Sequence, residues 1–177
     1  SDLLIENVII DNVCYTFNSD GTPGATSTVT VRKSTLNGWT SYSDMFKSVS
    51  FENCSFGKSN GYAYCRPYNA TTFTNCTFSK NTGTEKDSFG GALYVKNGSL
   101  TCTGCTFSEN SSVNNGGAVW LNAMSKADFI DCDFTSNVCT ANLAGAICLS
   151  GANPLNITGG TFKGHSAPNG GCFYNND

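Results

Sequence analysis

Phe51-Glu-Asn-Cys-Ser-Phe56 returns as Phe73-Thr-Asn-Cys-Thr-Phe78, as Cys102-Thr-Gly-Cys-Thr-Phe107, as Phe129-Ile-Asp-Cys-Asp-Phe134 and as Ile157-Thr-Gly-Gly-Thr-Phe162. Weaker copies stand upstream, at Ile5-Glu-Asn-Val-Ile-Ile10 and Val31-Arg-Lys-Ser-Thr-Leu36. The last apolar residue of each copy recurs at intervals of 26, 20, 22, 29, 27 and 28 residues. A unit this short holds no pair of packed helices, and its Thr, Val, Ile and Phe suit strands. Units that cannot bury their own apolar face must stack. The expected fold is an all-β, right-handed single-stranded parallel β-helix of about seven rungs. With strands about 4.8 Å apart, it makes a rod roughly 30 Å long.

Within the phrase, apolar residues fall at i, i+3 and i+5. A single strand alternates with period two, so the chain must bend between i and i+3. The residue before the cysteine column reads Asn7, Lys33, Asn53, Asn75, Gly104, Asp131 and Gly159. Asn, Gly and Asp tolerate left-handed backbone angles, which places a corner there, with Lys33 the misfit. A second turn follows the marker Phe, at Asn81, Asn110 and Asn137, with His165 in the same place in the last copy. Asn side chains stacked at a corner can bond from rung to rung and satisfy turn amides, so these residues and the lone His are read as structural.

A companion phrase keeps step with the first: Gly90-Gly-Ala-Leu-Tyr94, Gly116-Gly-Ala-Val-Trp120, Ala144-Gly-Ala-Ile-Cys148 and Gly170-Gly-Cys-Phe-Tyr174, at intervals of 26, 28 and 26 residues. The paired motif, Phe-x-x-Asn followed by Gly-Gly-Ala-(Ile/Leu/Val), resembles the repeat of the polymorphic outer-membrane proteins of chlamydiae. Similar β-helix repeats occur in surface proteins of other microbes and protists. The resemblance covers residues 73–174 through both phrases and residues 1–72 through the first phrase only. It implies a β-helix in a cell-surface or secreted, adhesin-like passenger.

One domain is expected over residues 1–177, with irregular N-terminal rungs over 1–72, a loop insertion at about 15–28, and regular repeats over 73–177. The chain opens on Ser-Asp-Leu-Leu-Ile and stops part-way through a rung, as a piece of a longer rod or a unit of an end-to-end filament would. Charge is sparse, net −3 with only Arg32 and Arg66 as arginines, so no basic stripe invites nucleic acid. No apolar run reaches the length of a membrane span, so this segment is not expected to insert.

Ten cysteines lack the paired C-x-x-C spacing of a zinc site. Cys54, Cys76, Cys105 and Cys132 form one column, and rung spacing puts aligned Cα atoms within disulfide reach. The column is therefore a ladder of buried thiols or a set of vertical disulfides such as Cys54–Cys76 and Cys105–Cys132. Six Asn-x-Ser/Thr sequons are about what 21 asparagines among abundant Ser and Thr produce by chance. Asn69 and Asn97 are the better glycosylation candidates, because Asn53 and Asn75 sit at predicted corners.

Some β-helix proteins are polysaccharide lyases or hydrolases, which need carboxylates grouped on one face. The only tight group here is Asp128, Asp131 and Asp133, and its members read as surface variants of structural columns. No catalytic residue, cofactor or metal is expected. Binding is better supported. Leu93, Val119, Ile147 and Phe173 are read as inward, which turns Tyr94, Trp120, Cys148 and Tyr174 outward beside Ala92, Ala118, Ala146 and Cys172. Tyr64 extends that line. A stripe of Tyr64, Tyr94, Trp120 and Tyr174 suits carbohydrate or a partner protein surface. A separate outward column, Thr35, Ser55, Thr77, Thr106, Asp133 and Thr161, forms a hydroxyl ladder. The expected protein is a non-enzymatic extracellular or surface rod, with a polysaccharide-binding or polysaccharide-degrading β-helix as the alternative.

Overall fold

The structure is a computed structural model that describes residues 2–17, 26–42, 46–57, 70–84, 88–151 and 154–176. The strands are short and every pairing between them is parallel. Such pairing needs each strand's neighbour to come from the next turn of the coil, one repeat away. Sheet I holds seven strands, Leu3–Glu6, Thr28–Arg32, Ser48–Glu52, Ala70–Thr74, Ser99–Thr103, Lys126–Ile130 and Leu155–Thr158, stacked in chain order. Sheet II follows it in each turn and also holds seven, from Ile9–Phe17 and Thr35–Tyr42 through Ser55–Gly57, Thr77–Ser79, Thr106–Ser108 and Asp133–Thr135 to Thr161–Lys163. Sheet III is three two-residue strands, Thr82–Gly83, Ser111–Ser112 and Val138–Cys139. Sheet IV is Leu93–Lys96, Val119–Asn122, Ile147–Ser150 and Phe173–Asn176. The chain is a parallel β-helix.

Between sheets I and II the chain turns at one left-handed residue per rung. Asn7, Lys33, Asn53, Asn75, Gly104, Asp131 and Gly159 have φ of 57, 47, 53, 51, 61, 51 and 70°. Even Lys33 adopts the corner conformation, because stacking dictates the bend whatever the side chain prefers. The corner brings the apolar ends of the phrase together. Phe51 and Phe56 meet edge to face at 5.2 Å, and Phe73 and Phe78 at 5.1 Å. From rung to rung like stacks on like: Phe56, Phe78, Phe107, Phe134 and Phe162 form one column with centroids 4.4–4.7 Å apart. Burying each such ring contributes roughly 1.5–3 kcal/mol.

The next residue in every corner, the cysteine column, points into the core. Cys54, Cys76, Cys105 and Cys132 are free thiols and all are buried. Each donates to two carbonyls, one in the strand before it and one a rung away, as Cys76 Sγ does to Thr74 O at 3.4 Å and Phe51 O at 3.5 Å. Ser34 takes the same place one rung earlier and donates its hydroxyl to Arg32 O at 2.7 Å. The column is therefore filled by small side chains that bury well and still donate a hydrogen bond.

Past sheet II the chain turns again at Lys80, Glu109, Ser136 and Gly164, with φ between 54 and 67°. The asparagines that follow form a continuous ladder. Asn81 Nδ2 donates to Asn110 Oδ1 at 2.9 Å, and Asn110 Nδ2 donates to Asn137 Oδ1 at 2.9 Å. Each Nδ2 also donates to the carbonyl of the marker residue in the rung below: Asn81 to Phe56, Asn110 to Phe78, Asn137 to Phe107. Asn110 Oδ1 and Asn137 Oδ1 each also take the backbone N–H of the ladder residue before them. The middle amide, Asn110, is thus fully used, and His165 ends the run by accepting Asn137 N–H on Nδ1 at 3.1 Å.

One boundary differs from expectation. Residues 15–17 belong to the Ile9–Phe17 strand, which runs on beside Thr35–Tyr42 with Tyr15 opposite Thr40 and Phe17 opposite Tyr42. Of the insertion expected at 15–28, residues 15–17 are therefore strand, strand resumes at Thr28, and residues 18–25 lie outside the described residues. The pairing absorbs one register shift between Ile10 and Val13, which interrupts the alternation that would have marked the strand.

Candidate functional site

Sheet IV, the companion phrase, carries the aromatic residues singled out for binding. Its register aligns Tyr94, Trp120, Cys148 and Tyr174 in one column, as expected. Leu93, Val119 and Ile147 face the main core and are fully buried. The column of Tyr94 and Trp120 belongs to a second, separate cluster with Ala144 and Cys148, outside the main core.

That cluster is not a solvent-facing stripe. Tyr94 and Trp120 are only 9% and 8% exposed. Phe89 lies over Trp120 with ring centroids 4.1 Å apart, Tyr94 stacks on Trp120 at 4.4 Å, and Leu143 packs against the same group. The physical cause is the Gly-Gly corner. Gly90, Gly116, Ala144 and Gly170 all take left-handed φ, so the residue just before each folds back over the outer face of sheet IV. Phe89 and Leu143 occupy that position and are apolar, which was the available signal in the sequence. Trp120 Nε1 finds no acceptor among the described residues under this cover. Cys148 is also enclosed, and burial with nearby Cys139 pushes its thiol up to about 12. Tyr174 is half-buried, against the same cluster.

Ala92, Ala118 and Ala146 were placed beside the stripe; they are buried in the main core instead. The bend at the Gly-Gly corner breaks strand alternation, so both Ala and the residue after it turn inward. Phe173, the inward residue of the last rung, is 43% exposed. Tyr64 and Asn69 lie outside the described residues.

The remaining candidates are dispersed. Asp128 is held by Lys126 at 2.5 Å and by Asn156 Nδ2 at 2.9 Å, contacts that keep its carboxyl below the usual carboxylate range, Lys126 first. Asp131 is a corner residue, and Asp133 accepts a bond from Thr161 Oγ1 at 2.7 Å. Among the described residues no group of three or more His, Cys, Asp or Glu is placed to hold a metal ion. The hydroxyl column Thr35, Ser55, Thr77, Thr106, Asp133 and Thr161 is in register on the outer face of sheet II. Among the sequons, Asn97 is a half-buried left-handed corner residue, whereas Asn110 is enclosed in the ladder and closed to a glycan.

The thiols of the cysteine column shift against one another. Cys76 is pushed up, first by Cys105, and Cys132 is also pushed up by Cys105, while Cys54 is drawn down by Cys76 and Cys105 first by Cys102. Burial opposes a negative charge on all four, and we take the column as neutral thiols.

Two seven-stranded parallel sheets joined by a one-residue corner, with an Asn ladder at the next corner, define the architecture. The family described as right-handed β-helix region matches residues 2–177. The chain belongs to the right-handed β-helix family. No curated protein and no solved structure matches it. Within a right-handed β-helix the handedness follows the usual right-handed sense of parallel crossovers.

Proposed function

We propose that this β-helix is a non-enzymatic, adhesin-like or structural rod working outside the cell or on its surface. The observation that carries the reading is the chemistry of its outer faces. On sheet I, Thr30, Ser50, Thr72 and Thr101 stack in one outward column, and Thr74 and Thr103 in the next. Sheet II adds the Thr35 to Thr161 hydroxyl column. These stretches offer neutral hydrogen-bonding groups at regular spacing, bounded on sheet I by Glu6, Arg32 and Glu52 toward one end and by Lys126 and Asp128 toward the other, which suits contact with a hydrated polymer surface. Of the one tight carboxylate group, Asp128 is tied to Lys126 and Asn156 and Asp133 to Thr161, which speaks against their pairing as acid and base. The resemblance to microbial surface repeats supports the same location.

Adhesion of protein-coated beads to a glycan array and to cells, run alongside chain-length measurement on a panel of polysaccharides, tests this. Adhesion without shortening of any polysaccharide is expected. Release of new chain ends would overturn the non-enzymatic reading.

A further inference from the structure

One rung of the repeat carries a second thiol. The residue that opens the first phrase reads Ile5, Val31, Phe51, Phe73, Cys102, Phe129 and Ile157, all in register. Cys102 alone brings sulfur to this apolar column. Three residues on stands Cys105, a member of the cysteine column, so the pair reads Cys102-Thr-Gly-Cys105 across the corner. Gly104 turns that corner with φ of 61°. Both are free thiols in the main core, 0% and 1% exposed. Cys102, Cys132 and Cys76 all touch the Cys105 side chain, Cys102 with the largest effect on its thiol.

We propose that Cys102 and Cys105 are the site of a disulfide that closes within one corner, while the stacked thiols around them stay reduced. Equivalent positions of the coil are related by a translation of about 4.8 Å, which separates their Cβ atoms by the same amount. A disulfide holds its Cβ atoms about 3.5–4.5 Å apart. Cys54, Cys76, Cys105 and Cys132 therefore meet the Cα requirement and miss the Cβ requirement, because translation keeps their Cα–Cβ bonds parallel. Cys102 and Cys105 are not equivalent. They stand on either side of a bend, and no such translation holds their Cβ atoms apart.

The oxidant is a small-molecule disulfide. A thiolate of the pair attacks one of its sulfurs, which forms a mixed disulfide and releases the other half as a thiol. The second cysteine loses its proton and displaces the remaining half. Cys102 and Cys105 thereby give up two electrons and two protons, and one small-molecule disulfide becomes two thiols. Burial sets the order of events: the bond forms before the turns stack, and the finished coil shields it from reductant. An oxidising setting is all that the bond requires, so it stands or falls apart from the adhesive reading.

Peptide mapping tests this, because trypsin frees both cysteines on the peptide of residues 97–126, which holds no other. After refolding with oxidised glutathione and alkylation of free thiols in denaturant, that peptide should be unalkylated and two hydrogens lighter than its reduced form. A Cys76–Cys105 bond would instead join it to the peptide ending at Lys80, and a Cys105–Cys132 bond to the one beginning at Ala127. Either joined pair, or a peptide alkylated at both cysteines, would overturn the proposal. Cys102→Val puts the side chain of Val31 at the equivalent place and keeps the column apolar. In this variant Cys105 should become fully alkylated, and a Cys105 that still resists alkylation would point to a stacked partner and sink the corner pair. Dithiothreitol should open the parent's bond readily in denaturant and only slowly in the folded coil. Equal rates in the two conditions would show that the bond lies outside the core and would also count against it.

Discussion

Asn110 shows how one residue type serves a stacked fold. It is fully buried, and its amide takes Asn81 N–H and Asn81 Nδ2 on Oδ1 while donating Nδ2 to Phe78 O and Asn137 Oδ1. Asn110→Ala would leave at least Asn81 N–H and Phe78 O short of a partner in a buried corner. Each such group costs about 1–3 kcal/mol, so a loss of about 2–4 kcal/mol in urea unfolding is expected. Asn110→Asp should not rescue it, because the donor is lost. His165, at the ladder's end, behaves differently. Its Nδ1 must stay unprotonated to accept Asn137 N–H, and burial holds its pKa below the ordinary 6.5. The unfolded chain therefore binds the proton first as pH falls. The stability due to this group is present above pH 6.5 and lost as pH drops below it. His165→Asn continues the ladder with a group that does not titrate, and unfolding midpoints measured above and below pH 6.5 should then differ less than in the parent.

At the scale of the element, corners rather than strands carry the specificity. Apart from Ile9–Phe17 and Thr35–Tyr42, the strands run two to five residues and have little intrinsic preference, but each corner demands a left-handed residue or a missing Cβ. Gly117 has no left-handed φ; it is required for space. A Cβ there would lie 2.2 Å from Gly145 O and 2.5 Å from the carbonyl carbon of Val138, both backbone atoms of the next rung. Gly117→Ala should therefore cost about 3 kcal/mol or more by forcing adjacent rungs apart, read as a lowered unfolding midpoint. The first corner was legible because its Asn, Gly and Asp are the residues that tolerate such angles. Lys33 was not, since its conformation comes from the rungs above and below. The Gly-Gly corner was legible as a repeat. Its consequence, that Phe89 and Leu143 fold over sheet IV, was not, because the position before the two glycines alternates between apolar residues and Asn115 or Asn169.

For the whole molecule, the aromatic cluster on sheet IV now belongs to stability. Trp120 stacks between Phe89 and Tyr94 and is nearly enclosed. Trp120→Ala should destabilise the coil by about 3–5 kcal/mol, measured by chemical unfolding. Glycan binding by the variant at a temperature where it stays folded should match the parent; a selective loss of binding would restore the aromatic stripe as a contact surface. The rod's outer surface is then left to sheets I and II, where the hydroxyl columns lie.

The repeated Phe-x-x-Cys-x-Phe phrase by itself determined that the chain coils, where it bends first, and which residues fill the core. Those features repeat with the rung, and every copy reports the same local geometry. The Asn ladder could be read in the same way. The tertiary structure alone decided which outward residues meet solvent. That depends on single departures from the repeat: Phe89 and Leu143, whose bulk closes one face. A periodic pattern encodes contacts between equivalent positions. Cover arises from non-equivalent ones, brought together only when the turns are stacked.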